Sequence, residues 1–228
     1  MTALLDFINR ERELYPDHSR VFDYYSSYNV VHFQGNVDIQ IVPKNACSTI
    51  KSAYMMLHYA ETTQDDRWGL NERKRVSNTL REKGVLDAGS LFRTGSERLA
   101  IYRDPVKRAI SAAIFILHHR YKYNWDRINP SLVNQFLDQF DYTKDIHMSR
   151  QTYWLGKDKH FFDKIYNISD TQQLLERIQS KYDSFFRDIT HLWVNSSKVV
   201  IPEEDIYPSL IDKIKLYYKA DYDFIESL

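Results

Sequence analysis

Val37-Asp38-Ile39-Gln40-Ile41-Val42-Pro43-Lys44-Asn45-Ala46-Cys47-Ser48-Thr49-Ile50 is the stretch on which the fold turns. Apolar and polar residues alternate from Val37 and then turn wholly apolar, which predicts a strand over Val37–Val42 that Pro43 ends. From Ser48 to about Tyr59 the apolar residues fall at helical spacing (Ile50, Tyr54, Leu57), which predicts a helix. A strand, a short loop and a helix therefore follow one another. The amides at such a helix start point outward with partial positive charge and suit phosphate or sulfate. Ser48 and Thr49 add hydroxyls, and Lys44 adds a full charge. A nucleotide-triphosphate loop would need Gly-x-x-x-x-Gly-Lys-Ser/Thr. This loop has no glycine, and its lysine precedes it. By itself the segment fits equally well a helix capped by Ser48.

The same pattern recurs downstream in Leu99-Ala100-Ile101-Tyr102-Arg103-Asp104-Pro105-Val106-Lys107-Arg108-Ala109-Ile110-Ser111. A strand is expected over Arg98–Tyr102. Pro105 suits a first helical turn, and Val106–His119 reads as the helix. Arg103 stands at the strand's end and Ser111 on the helix, so a guanidinium fork and a hydroxyl can converge on one anion. Alone, the segment also fits a surface Arg103–Asp104 ion pair with Ser111 as a small packing residue.

Outward from these junctions, residues 1–35 read as a helical lead-in and residues 61–90 as an exposed helix and loop. Leu132–Phe140 reads as a short helix, Phe161–Tyr166 as a third strand, and Thr171–Lys181 and Tyr207–Leu228 as helices. Strands alternating with helices predict a single α/β domain over residues 1–228, with a mainly parallel central sheet flanked by helices.

Composition agrees with a globular chain: 43% hydrophobic residues and 27% charged are enough for a core. Lys+Arg and Asp+Glu are equal at 31 each, which argues against a nucleic-acid binder. No run of about 18 apolar residues is present, so no membrane span is expected. The N-terminus lacks the basic and apolar regions of a signal peptide. Cys47 is the single cysteine, so no internal disulfide can form. Together these features point to a cytoplasmic protein.

The two junctions, in this order, resemble the sulfotransferases that use 3′-phosphoadenosine 5′-phosphosulfate (PAPS). The nearest branch is the carbohydrate sulfotransferases related to Golgi enzymes that modify glucuronic acid and chondroitin-type sugars. That family carries a Pro-Lys-x-x-x-Ser/Thr loop and a later Arg-Asp-Pro-x-x-Arg-x-x-Ser motif. Here these are Pro43-Lys44-Asn45-Ala46-Cys47-Ser48 and Arg103-Asp104-Pro105-Val106-Lys107-Arg108-Ala109-Ile110-Ser111. His147-Met148-Ser149-Arg150-Gln151 is similar to the branch's His-x-x-Pro-Gln, with Arg150 in place of proline. Phe161–Tyr166 resembles its following strand, His191–Ser197 its late His-x-Asn stretch, and Ile214–Phe224 its final helix and Asp-Phe finish. The acidic residue that usually follows the third strand is missing, since Asn167-Ile168-Ser169 stands there.

The resemblance implies a P-loop-like three-layer fold and transfer of a sulfuryl group from PAPS to a carbohydrate hydroxyl, without a metal. It implies that Pro43, Lys44, Asn45, Ala46, Cys47, Ser48 and Thr49 bind the 5′-phosphosulfate, with Lys44 at the bridging oxygen. Arg103 and Ser111 would bind the 3′-phosphate, with Arg108 either assisting or pairing with a carboxylate. A base must take the acceptor's proton. His147 is the first candidate and Glu61 and His58 are rivals, while a histidine tying two backbone segments together is the plain alternative for His147. Trp125 and Trp154 are candidates for stacking on a sugar ring, or for the core. A tyrosine or small-metabolite acceptor, and a catalytically silent nucleotide-binding partner protein, remain open.

Overall fold

The first junction folds as its pattern predicts. In a computed structural model that describes residues 30–59, 92–156, 158–182, 188–192 and 198–228, strand β2 (Val37–Gln40) leads through residues 41–46 into helix α1 (Cys47–Tyr59). The second junction does the same: strand β3 (Glu97–Tyr102) leads into α2 (Pro105–His119). Pro105 opens α2, and the Asp104 side chain caps it by accepting from the Lys107 amide at 2.8 Å. Asp104 therefore serves the helix start and is not a plain surface partner of Arg103.

β2 and β3 are parallel neighbours, with Ile39 opposite Leu99 and Gln40 opposite Ala100. β4 (Lys164–Asn167) lies parallel to β3 on the other side, Ala100 facing Ile165. β1 (Val30–Phe33) pairs antiparallel with β2, which completes a four-stranded mixed sheet in the order β1-β2-β3-β4. The chain is thus an α/β protein whose sheet is mostly parallel.

β1 corrects the expectation of a helical lead-in running to residue 35. Its short run Val30-Val31-His32-Phe33 is three-quarters buried and shows no alternation. The turn that follows uses Gly35 and Asn36 at φ 66 and 56, the left-handed pair that a tight hairpin needs. The remaining lead-in, 1–29, and the expected segment 61–90 lie outside the described residues.

Alternate residues of β3 point to opposite faces. Leu99 and Ile101 join a core with Ile39, Ile50, Leu57, Leu174 and Ile178, which seats α1 and helix α5 (Thr171–Gln179). Ala100 joins Trp154, Leu155, Phe162 and Phe224 on the other face, under the short helix α4 (Thr152–Leu155) and the final helix. Apolar layers therefore cover both faces of the sheet. α2 packs with α3 (Pro130–Gln139) and α6 (Pro208–Tyr217) around a third cluster that includes Ile110, Ile114, Leu137 and Ile214.

Several boundaries shift from expectation: β2 ends at Gln40 instead of Val42, and α3 starts at Pro130 instead of Leu132. The third strand begins at Lys164 instead of Phe161, because Lys159–Phe161 forms a turn of 3-10 helix behind Asp158. The C-terminal helix breaks at Tyr218 into α6 and α7 (Lys219–Glu226). Among the described residues no helix is long and apolar enough to cross a membrane.

Candidate functional site

Parallel strands end at the same sheet edge, so the loops after β2 and β3 meet there. The Lys44 loop is held in an uncommon backbone form. Lys44 and Ala46 both have positive φ, 71 and 54, which costs a side-chain-bearing residue free energy and persists only where the surroundings enforce it. The Asn45 amide donates back to the Val42 carbonyl at 3.1 Å, which closes the turn.

What enforces the loop is a set of long-range hydrogen bonds. Asn45 is buried, and its Nδ2 donates both to the Ile101 carbonyl, at 2.9 Å, and to Oε1 of Gln151, at 2.6 Å. The same Gln151 amide accepts from the Arg103 N–H at 3.0 Å and donates to the Arg103 carbonyl at 2.7 Å. One glutamine thus spans both loops. Its own backbone N–H is held by the buried Asp221 carboxylate of α7 at 2.8 Å, and Asp221 also takes the Thr152 N–H and hydroxyl. Burial pushes the Asp221 carboxyl up, against the pull of these donors and of the Arg108 cation.

Arg108 is fully buried. Its Nε donates to the Pro43 carbonyl at 3.0 Å and its Nη1 to the Ser149 carbonyl at 2.5 Å. Arg108 clamps the loop backbone from inside the protein, its charge lies near the buried Asp221 carboxylate, and its Nη2 has no hydrogen-bond partner among the described residues. Burial lowers its affinity for the proton, while the Tyr218, Asp221 and Tyr217 side chains nearby raise it.

Arg103 joins the two motifs directly. Its Nη1 donates to the Lys44 carbonyl at 3.2 Å. Arg103, Lys107 and Ser111 line one side of a groove of about 700 Å³, and residues 199–204 line the other. The guanidinium fork and the hydroxyl expected to converge therefore do share one cavity. Residues 43–49 do not line it; they connect to it through Arg103. Burial and the neighbouring Arg108 cation push the Arg103 guanidinium down, and Asp104 opposes them, but a guanidinium stays charged.

Beyond the loop stands a wall of rings. The Lys44 ammonium lies 4.7 Å from the centre of the Phe115 ring. That ring is 4.4 Å from the His147 ring on one side and 4.4 Å from the His119 ring on the other. His147 thus comes within one ring of Lys44. It does not tie two distant segments together: its backbone N–H and its Nδ1 both meet Oδ1 of Asp145, two residues away, at 2.8 Å. Burial pushes the His147 imidazole down, Asp145 pushes it up, and Lys44 and Arg108 push it down again; the result lies below the ordinary 6.5. A neutral imidazole near pH 7 is the form that can accept a proton.

The rival bases fare differently. His58 stacks on Tyr54, and its Nε2 meets the Tyr182 hydroxyl at 2.8 Å, on the side of the sheet that seats α1 and α5. Glu61 lies outside the described residues, as does 193–197 of the expected His-x-Asn stretch. Trp154 is core, with Nε1 donating to the Ser149 hydroxyl at 2.9 Å. Trp125 is half-buried and stacks on His118 with ring centres 3.7 Å apart.

Asp145, Gln151 and Asp221 were not singled out by sequence reasoning as working residues. Gln151 sits in the His147–Gln151 stretch, whose resemblance was the available signal. Asp221 lies two residues before the Asp-Phe finish, whose Asp223 instead pairs at the surface with Lys219. Compared with known protein families, with curated proteins and with solved structures, the chain gives no match.

Proposed function

We propose that the protein is a sulfotransferase that moves the sulfuryl group of PAPS to a hydroxyl, with a carbohydrate as the acceptor, on a P-loop-like α/β fold. The observation that carries the reading is the joining of two sequence motifs at one sheet edge. The Lys44 loop and the Arg103–Ser111 pair, 59 residues apart at Lys44 and Arg103, share a hydrogen bond, and Arg103 and Ser111 line one groove.

The residues fit such a donor. Arg103 and Ser111 offer a charged fork and a hydroxyl within a groove large enough for a nucleotide, which suits the 3′-phosphate. The left-handed turns at Lys44 and Ala46, ahead of the α1 start with Ser48 and Thr49, suit the 5′-phosphate and sulfonate. Sulfuryl transfer resembles phosphoryl transfer, in which a protein mainly positions groups and stabilises charge. Lys44 supplies charge at the bridging oxygen, and His147 takes the proton of the acceptor hydroxyl.

The test is calorimetric titration with adenosine 3′,5′-bisphosphate beside ADP and ATP, on the wild type and on Arg103→Ala. Binding of the bisphosphate alone, lost in the variant, supports the donor site and justifies screening acceptors with labelled PAPS. A preference for ATP, or no binding of any of the three, overturns the reading.

A further inference from the structure

Asp145 is buried beneath the ring wall, and nothing in the donor-binding argument uses it. Its Oδ1 accepts from the His147 backbone N–H and faces His147 Nδ1, each at 2.8 Å. Its Oδ2 forms an ion pair at 3.0 Å with Arg120, just past the end of α2. The Asp145 side chain has no exposed surface, while that of His147 keeps 20% of its own.

The charge state of this pair follows from its neighbours. Burial pushes the Asp145 carboxyl up, but the His147 hydrogen bond and the Arg120 charge outweigh it and hold the group below the usual carboxylate range. Asp145 is therefore a carboxylate and can only accept. The nitrogen facing it, Nδ1, must then carry the proton. Neutral imidazole has one N–H, so the lone pair lies on Nε2. The charged groups and rings that act on His147 come from three places. Asp145 lies in its own turn, Lys44 in the loop after β2, Arg108 and the rings of Phe115 and His119 on α2, and Arg120 at the end of α2.

We propose that Asp145 is the positioning residue of His147: its carboxylate, backed by Arg120, fixes the proton on Nδ1 and leaves Nε2 to take the proton of the acceptor hydroxyl. The proposal rests on the sulfotransferase reading for its last clause only. In the step, the acceptor oxygen forms its bond to sulfur and its proton passes to Nε2. The bond between sulfur and the donor's bridging oxygen breaks, and that oxygen leaves with the bisphosphate. Asp145 touches neither reactant; it sets which nitrogen is free and keeps the imidazolium that forms beside a negative charge.

The experiment is a long-range proton–nitrogen NMR correlation spectrum of the full chain, with the His147 signals identified by their loss in His147→Gln. In the wild type at pH 7.5 the Nδ1–H tautomer is expected. In Asp145→Ala the Nε2–H form gains, and in Asp145→Glu the Nδ1–H form is retained. Wild-type His147 with its proton on Nε2 overturns the proposal even if the alanine variant does not fold. So does an alanine variant with an unchanged tautomer. Transfer from labelled PAPS should fall about a hundredfold or more in Asp145→Ala and recover in part in Asp145→Glu, with bisphosphate affinity unchanged in both. Equal transfer in Asp145→Ala overturns the catalytic clause. Failure of the wild type to bind the bisphosphate overturns the sulfotransferase reading instead, and leaves the tautomer result to decide the pairing.

Discussion

Nη1 of Arg103 donates to the carbonyl oxygen of Lys44 over 3.2 Å. The guanidinium that lines the groove therefore also holds the backbone of the loop expected to bind the other end of the nucleotide. A single change at Arg103 should weaken both.

Arg103→Ala should cut affinity for adenosine 3′,5′-bisphosphate by about tenfold to a hundredfold, the scale of a lost hydrogen bond to a charged group. Arg103→Lys should not restore it. A lysine is a point charge and cannot serve the Lys44 carbonyl and an anion as a planar fork does. Calorimetry on the three proteins checks this. A lysine variant that binds like the wild type would show that charge alone matters at this position.

Lys44 separates stability from activity. Its side chain is proposed to act at the bridging oxygen, while its backbone sits at φ 71. Glycine adopts that conformation without strain, so Lys44→Gly should stabilise the fold by about 1 kcal/mol relative to Lys44→Ala. Both variants should lose transfer by about a hundredfold or more, and both should keep most of their bisphosphate affinity. Urea denaturation and a transfer assay on the pair read the two effects apart.

Histidine burial gives the pH dependence. His58 and His147 both have affinities for the proton below the ordinary 6.5, with burial as the first cause. As pH falls through 6.5 the unfolded chain takes up protons before the folded one does. The unfolded state then binds more protons, so stability rises with pH in that window and drops as pH is lowered. The two sites should differ in what else they change. His58 Nε2 meets the Tyr182 hydroxyl, which also accepts from the Gln34 N–H, on the side of the sheet that seats α1 and α5. His58→Gln should flatten the stability loss between pH 7 and pH 5.5 and leave transfer intact. His147→Gln should flatten part of it and abolish the acid limb of the transfer rate. Denaturation curves and a pH–rate profile at matched pH values test both.

The legible and illegible parts of the molecule divide by range. The two strand-to-helix junctions were readable because each is built from neighbours: an apolar run, a loop residue, then helical spacing. Lys44, Arg103 and Ser111 were readable because they stand at fixed places in those junctions. β1 was missed although Gly35-Asn36 between Val30–Phe33 and Val37–Gln40 is a hairpin signal. A four-residue buried strand has too little alternation to compete with the reading of a helical lead-in. Gln151 and Asp221 were illegible for another reason. Their work is to join segments 106 and 70 residues apart, and no local pattern encodes a distant partner. The same holds for Asp145, whose carboxylate is explained only once Arg120 and His147 stand on either side of it.

Gln151 should prove the most sensitive uncharged residue of the site. Gln151→Ala removes an acceptor from Asn45 Nδ2 and from the Arg103 N–H, and a donor from the Arg103 carbonyl. Asn45 Nδ2 keeps the Ile101 carbonyl, but the Arg103 amide loses its side-chain partner in a half-buried place. Leaving such groups unpaired costs about 1–3 kcal/mol each. The variant should lose about 2–4 kcal/mol in stability and bind the bisphosphate more weakly than the wild type. Gln151→Glu should be no better, because a carboxylate cannot donate to the Arg103 carbonyl. Denaturant midpoints and calorimetry on both variants decide it. Wild-type behaviour in Gln151→Glu would show that the donated bond carries nothing.

Arg108 separates a loop clamp from a ligand-binding charge. Its guanidinium is fully buried: Nε and Nη1 donate to the carbonyls of Pro43 and Ser149, Nη2 is left without a hydrogen-bond partner among the described residues, and Arg108 does not line the groove. Removing it leaves two buried carbonyls without their donor and the buried Asp221 carboxylate without the nearest opposite charge. That combination should cost about 3–5 kcal/mol. Arg108→Met keeps much of the volume and tests the charge; Arg108→Lys keeps the charge and tests the fork. Lysine can reach one carbonyl but not both at once, so it should recover only part of the loss. If Arg108 is a clamp, weaker bisphosphate binding in these variants should track the loss of stability. Lowering the temperature, or adding an excluded osmolyte such as sucrose to favour the folded state, should then restore both together. A stable Arg108→Met protein that binds the bisphosphate poorly would instead assign Arg108 a direct electrostatic share in holding the anion.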